Sequence, residues 1–297
     1  MNLQFHDAAR WLRELDERTP AETVWLAHNA LRGSLWEDKF RGFINFVPMI
    51  EQAKKRAIER LERLPAWAPA VRAPKTLPRK AGHGWGTYGW KYDPSLVLTA
   101  LKHQAAMIDT AETYGYGKVE EELGNTLGQL SPEERGNTLI ATKVGRHHLG
   151  YDNVFRACER SRMKLQVPID LYQVHWPVFP MEPTFEALQR LLFEEKINAV
   201  GVCNFSIDQL WEAQQILPDI CSLQVRIAPD DQTAMEHEVL PFTSQMNITL
   251  IAHSPFGQKR TSEARTILDW LSARDILGIP GTNSSKHLGE NLRRVQL

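Results

Sequence analysis

Between residues 83 and 279 the chain carries short, nearly unbroken apolar runs at even intervals, and this spacing constrains the fold more than any other feature of the sequence. Seven are clear: Met107 to Thr110, Thr138 to Thr142, Ile169 to Val174, Ala199 to Cys203, Ile220 to Val225, Ile248 to Ala252 and Ile276 to Ile279. A weaker eighth, His83 to Tyr88, precedes them. A strand with one wet face alternates apolar and polar residues, whereas a parallel strand covered on both faces reads as a continuous apolar run. The segments between have the signals of helices. Pro94 follows Asp93 at a first turn, and Leu188, Leu191 and Leu192 line one side of Phe185 to Glu195. The runs start about 20 to 35 residues apart, near the roughly 30 per strand-helix unit of an eight-stranded barrel. The sequence therefore predicts an α/β fold, a (β/α)8 TIM barrel over residues 81–297, preceded by a small helical N-terminal segment.

Upstream the pattern changes. Ala8, Trp11, Leu12 and Leu15 repeat at helical spacing, and Ile50, Ala57, Ile58, Leu61 and Leu64 do so again beside a solvated face rich in Lys, Arg and Glu. Pro65, Pro69, Pro74 and Pro78 then forbid a continuous helix. We expect a helical extension over 1–64 and a Pro-rich linker over 65–80. Stripes such as Trp11, Leu12 and Leu15 need a surface, so these helices are expected to pack on the barrel or to mediate self-association. Residues 1 to 80 carry 15 Lys+Arg against 10 Asp+Glu, but the whole chain is nearly neutral, 35 against 36. It lacks the basic footprint of a protein devoted to nucleic acid or an anionic membrane. Apolar runs such as Ile248 to Ala252 fall far short of the roughly 20 residues of a membrane span, and Met1 to Asp7 lacks a signal pattern, so a cytoplasmic protein is expected. Cys158, Cys203 and Cys221 show no C-x-x-C spacing, which argues against a disulfide framework or a zinc site.

A barrel of this kind places its chemistry where strands end. The polar or backbone-permissive residues at or just past the ends of the apolar runs are Asp109, Lys143, His175, Asn204, Gln224, His253 with Ser254, and Gly281 with Thr282. One such polar residue is ordinarily a satisfied structural group; a full set in register is harder to dismiss. Together with Tyr114, in the turn Thr113 to Gly117, they form a set able to move a proton. A phenol with a pKa near 10 is a poor acid at neutral pH unless a cation stabilises its phenolate. Lys143 can supply that cation, Asp109 can hold the ammonium through a charge-assisted bond, and His175 can orient a carbonyl oxygen. No metal cage is expected, since His147 and His148 are adjacent and their rings share neither a helix face nor a strand face. At the other end, Pro280 to Ser285 leads into a helix through His287, Leu288 and Asn291. Hydroxyls and backbone N–H groups gather there, suited either to an anion or to plain Ser capping.

These residues closely resemble the aldo-keto reductases. The likeness is carried by Ile108-Asp109-Thr110-Ala111-Glu112-Thr113-Tyr114-Gly115-Tyr116-Gly117 with Glu121 and Gly124, Ala141-Thr142-Lys143, Ile169 to Pro177, Gly201 to Ser206 and Ile279 to Thr282, and it spans roughly residues 82 to 294. It implies a nicotinamide-dependent barrel in which Tyr114 is the general acid, Asp109 and Lys143 tune it, and His175 positions the carbonyl of an aldehyde or ketone. It further implies that Gly86, Thr87, Tyr88 and Asp109 lie by the cofactor, that Asn204 and Gln224 bind its carboxamide, and that His253 stands beside the nicotinamide. Ser254 and Phe256 would approach the pyrophosphate, and Thr282, Asn283, Ser284, His287, Glu290 and Asn291 would surround the adenosine end. The expected cofactor is NADP(H), with NAD(H) the alternative.

The chain also departs from the family pattern. Cys203 replaces a serine, His253 an aromatic residue, and His287 an arginine on the 2′-phosphate, where Lys286 is available to compensate. The stretch from Phe256 to Ile279 and the C-terminus are short for the family. Two other readings compete. Gly84-Trp85-Gly86-Thr87-Tyr88-Gly89 matches a dinucleotide-binding fingerprint, but no strong apolar strand precedes it and the helix begins only at Pro94. The barrel could also serve as a non-catalytic nicotinamide sensor or regulatory subunit, since a fold does not fix an activity. The aromatic loops Trp176 to Met181 and Tyr88 to Tyr92 suggest an uncharged or aromatic carbonyl substrate.

Overall fold

The structure, a computed structural model, describes Leu77 and residues 82–229, 239–257 and 264–293. The expected helical extension over 1–64, and the linker over 65–80 apart from Leu77, lie outside the described residues. Eight parallel strands follow one another around a single sheet in chain order. They are β1 (Trp85–Gly86), β2 (Met107–Asp109), β3 (Leu139–Val144), β4 (Leu171–Val174), β5 (Val200–Cys203), β6 (Ile220–Arg226), β7 (Thr249–His253) and β8 (Leu277–Ile279). The helices between them are α1 (Pro94–Lys102), α2 (Lys118–Leu127), the short α3 (Pro132–Arg135), α4 (Tyr151–Leu165), α5 (Glu182–Phe193), α6 (Ile207–Ile216), α7 (Leu240–Gln245), α8 (Ala264–Ser272) and α9 (Ser285–Asn291). This sequential order is that of a (β/α)8 barrel and excludes the doubly wound sheet implied by the glycine fingerprint, whose strand order reverses at a switch point.

The helices start where side chains can satisfy their free N–H groups. Asp93 accepts from the Ser95 N–H at α1, Ser131 and Ser206 make capping boxes with Glu134 and Gln209, and Ser284 accepts from the His287 N–H at α9. Leu188 and Leu191 of α5 are buried as its periodicity requires. The main core lies between strands and helices, where Ile108, Tyr172, Val200, Val202, Leu223, Leu250 and Ala252 meet Leu123, Val154, Leu165, Phe185 and Leu210. A second, smaller cluster fills the barrel floor: Met107, Ala141, Leu171, Ala199, Cys221, Ile251 and Ile279, with Leu77 from the linker plugged among them.

The ring closes between β8 and β1. The Gly84 N–H donates to the Gly278 carbonyl (2.9 Å), the Gly86 N–H donates to that of Pro280 (3.2 Å), and Gly86 pairs with Gly281. A Cβ at Gly86 would sit 2.7 Å from the Ile279 carbonyl oxygen, so only glycine lets the two backbones meet. His83 clamps the same seam. Its Nδ1 accepts from the Gly278 N–H (3.1 Å) and its Nε2 lies 2.9 Å from the Leu268 carbonyl, which fixes a neutral, Nε2-protonated ring. Burial, partly opposed by the Leu268 bond, lowers its pKa to about 4.

Because the folded state binds neutral His83, this clamp stabilises fully above about pH 6.5 and is lost as pH falls through about 4, a contribution on the order of 3 kcal/mol. Thermal unfolding of wild type and His83→Ala from pH 8 to pH 4 checks this. The stability gap is expected to shrink with acidification, and parallel curves would count against it.

Candidate active site

In a strand, residues two apart share a face. Two steps up from the apolar floor, the same faces that carry Met107, Ala141, Leu171 and Ile251 carry Asp109, Lys143, Gln173 and His253. Gly201 of β5 adds no side chain at that level, and the next inward position is Cys203. A polar layer therefore rests on an apolar one inside the barrel. At its centre the buried Lys143 Nζ donates to Asp109 Oδ2 (2.6 Å), to the Thr110 carbonyl (2.8 Å) and to Tyr114 Oη (3.4 Å). The other carboxylate oxygen accepts from Gln224 Nε2 (2.8 Å) and Gln173 Nε2 (3.3 Å). Thr87 donates through both its N–H and its hydroxyl to the Asp109 carbonyl (2.9 Å each), tying the β1 loop to β2.

Tyr114 opens a 3-10 turn, Tyr114–Gly117, which leads directly into α2. Gly115, Tyr116 and Gly117 all have positive φ (54°, 56° and 84°). The space a Cβ would need at Gly117 is filled by the Lys164 ammonium, so the turn is held by the α2–α4 packing. This orients the half-buried phenol toward Lys143. Tyr88 and His175 flank it edge-on, at ring separations of 5.3 and 5.8 Å.

His175 directly follows β4, and its N–H donates to the Val144 carbonyl (3.1 Å). Asn204 and Ser254 directly follow β5 and β7 in left-handed conformations (φ 61° and 50°), a strain that collects at functional sites. Asn204 Nδ2 donates to the His175 carbonyl (3.1 Å) and to Cys203 Sγ (3.2 Å), and its Oδ1 lies 3.1 Å from His253 Nε2. The Cys203 thiol donates to Gln224 Oε1 (3.3 Å). The cysteine that stands in place of serine is thus bonded to both amides expected at the carboxamide.

Burial decides most of the protonation states. It is the largest single influence on Lys143 and opposes the charge there, but the attraction and hydrogen bond of Asp109 together with the neighbouring Tyr114 and Cys203 outweigh it and hold the ammonium pKa above the usual lysine range. It pushes the Tyr114 phenol above its ordinary value. The Lys143 charge works in the expected direction but offsets only part of this, so the phenol stays protonated. His175 is lowered to about 3, by burial first and then by Lys143, and His253 is lowered for the same two reasons. The Cys203 thiol is pushed up to about 12 by burial, with Lys143 opposing. The pocket therefore presents one buried ion pair surrounded by neutral donors.

The remaining expected residues end or follow β1, follow β7 or β8, or lie on α9. Gly86 is buried, Tyr88 is 80% exposed, Ser254 is exposed and Phe256 packs on the edge of the core. Thr282 and Ser284 are half-buried, His287 and Glu290 are exposed, and Asn291 is buried at the end of α9. Asn283 is engaged by the β1 loop: its Oδ1 accepts from the Lys91 N–H and its Nδ2 donates to the Gly89 carbonyl, both at 2.9 Å. His148 pairs with Glu112 (2.9 Å), and no group of three or more metal-ligating side chains occurs among the described residues. Sequence reasoning missed Gln173 because it lies inside an apolar run, although its two-residue offset from His175 puts both on one face. It also missed the Thr110 carbonyl, for which no side-chain signal exists.

The family model of the aldo/keto reductases matches residues 80–269. The chain belongs to the aldo/keto reductase family. Aldo-keto reductase YhdN of Bacillus subtilis is 32% identical over 185 residues, covering 58% of this chain and 54% of that protein. Methylglyoxal reductase YeaE of Escherichia coli is 27% identical over 68% of this chain and 78% of its own length. The chain thus spans about half of the first relative and about three quarters of the second. Among solved structures, an aldo/keto reductase from Klebsiella pneumoniae in complex with NADP and acetate has a TM-score of 0.60 at 26% identity, covering 70% of this chain and 83% of that one.

The ion pair at the centre of this barrel has side chains 0% and 3% exposed, so removing one partner strands the other. Asp109→Asn and Lys143→Met are each expected to cost about 3–5 kcal/mol, and the double variant less than either. Urea unfolding midpoints of the four proteins test this; additive losses would contradict it.

Proposed function

We propose that this chain reduces an aldehyde or ketone to the alcohol with NADPH, with Tyr114 as the general acid. The observation that carries the reading is a protonated phenol 3.4 Å from a buried ammonium, which a carboxylate keeps charged. The likeness to a methylglyoxal reductase and to a structure in complex with NADP supports it. The site suits a nicotinamide dinucleotide by its donor set. Two side-chain amides, Asn204 and Gln224, converge on Cys203 Sγ, hydroxyls of Ser254 and Ser284 suit a pyrophosphate and a sugar, and exposed Lys286 suits a phosphate. In this reading Asn204 and Gln224 hold the carboxamide, with Gly86, Thr87, Tyr88 and His253 beside it. Ser254 and Phe256 take the pyrophosphate, and Thr282, Ser284, His287, Glu290 and Asn291 the adenosine end, with Asn283 bracing the loop. His287 is no arginine, so NAD(H) stands as the alternative.

When bound, the reduced cofactor supplies a hydride to the carbonyl carbon. Tyr114 Oη gives its proton to the carbonyl oxygen as negative charge builds there. The Lys143 ammonium then stabilises the phenolate left behind, and Asp109, fixed by Gln173 and Gln224, keeps that ammonium in place. Neutral His175 contributes an N–H to the same oxygen and orients it without competing for the proton.

Tyr114→Phe is expected to lower turnover by about 10²–10⁴-fold while NADPH affinity is kept. NADPH absorbance with a panel of aldehydes and ketones, and fluorescence titration of the cofactor, check the two halves. Wild-type protein that binds NADPH but reduces nothing in the panel would favour the sensor reading instead.

A further inference from the structure

The turn after β3 carries a cation that the reaction does not use. Arg146 opens the 3-10 turn Arg146–His148, is exposed, and lies with Cζ 5.2 Å from the centre of the Trp176 ring. Trp176 in turn stacks on His175, with rings 6.2 Å apart and 21° from parallel. Stacking fixes the plane of a guanidinium and leaves its N–H edge free for a planar anion. Among the described residues no carboxylate lies within ion-pair distance of Arg146. Glu112, the acid bonded to this loop, is already occupied by the Gly145 N–H (2.6 Å), His148 (2.9 Å) and Arg160 (3.5 Å). The cations that act on the His175 ring are Lys143 and Arg146, and the neighbouring His253 is neutral. The His175 ring is therefore bordered by positive charge on the Arg146 side and by the rings of Tyr114 and Trp176.

Resting on the carbonyl-reductase reading, we propose that Arg146 is a specificity-determining residue that binds an anionic group on the substrate, so that aromatic carbonyl compounds bearing a carboxylate are preferred. This goes beyond the uncharged aromatic substrate suggested by loop composition, because composition registers the rings but not a guanidinium over the Trp176 ring that has no carboxylate partner among the described residues. A carboxylate accepting two N–H bonds from Arg146 would hold the ring of the substrate along Trp176 with its carbonyl toward Tyr114. The positive border would also draw anions to the mouth.

A matched pair tests the proposal: para-carboxybenzaldehyde and its methyl ester, with NADPH. The ester is the more electrophilic aldehyde, so a preference for the acid cannot come from intrinsic reactivity. Wild type is expected to favour the acid by about tenfold in kcat/KM, mainly through KM, with the acid-to-ester ratio near one in R146A and intermediate in R146K. A binding readout independent of turnover follows tryptophan fluorescence on titration with para-hydroxymethylbenzoate. Affinity is expected to fall about tenfold in R146A and to weaken with salt in wild type only. A ratio that is near one in wild type, or unchanged in R146A, overturns the anion site while leaving the reductase reading intact. Arg146-dependent binding without reduction of either aldehyde would support the anion site and overturn the reductase reading.

Discussion

A lysine ammonium held 2.6 Å from an aspartate inside a closed barrel sets the terms for the rest of this molecule. Taking both charges out of water costs several kcal/mol each, and their attraction repays this only if every remaining donor and lone pair is satisfied. The barrel meets that condition with few parts. Gln173 and Gln224 bond the free carboxylate oxygen, and the Thr110 carbonyl takes a second ammonium proton. Thr87 locks the Asp109 main chain. These groups come from β4, β6 and the residues just past β1 and β2, so the pair can exist only when distant strands stand at the correct height around the ring.

The same burial that makes the pair expensive keeps its neighbours uncharged. Tyr114 remains a phenol, Cys203 a thiol, and His175 and His253 neutral rings. A proton donor next to a fixed cation, with no nearby group competing for the proton, is the arrangement that acid-assisted carbonyl reduction needs. The neutral histidines also leave Arg146 as an exposed cation over the Trp176 ring, which itself packs on His175.

Much of the fold was legible because a parallel strand covered on both faces must be apolar along its length. Each of the eight expected runs overlaps a strand. The ends were less legible. Lys143 and His253, read as residues just past an apolar run, belong to β3 and β7, because strand pairing is made by backbone groups that ignore side-chain polarity. For the same reason Gln173 stayed hidden within a run that otherwise looks apolar. The short interval from Phe256 to the last strand was legible as brevity alone, and residues 258–263 lie outside the described ones.

The sequence by itself determined the number and kind of strand-helix units, the capping of the helices and the identity of the groups able to move a proton, since these depend on local periodicity and on intrinsic side-chain chemistry. Tertiary structure alone decided which groups are charged and which are partnered. Burial, not proximity to Lys143, governs Tyr114, and the β8–β1 seam engages Asn283 and neutralises His83. Protonation and hydrogen bonding depend on desolvation and on contacts between segments more than a hundred residues apart, such as Gln224 on Asp109, and no local reading of the chain contains those distances.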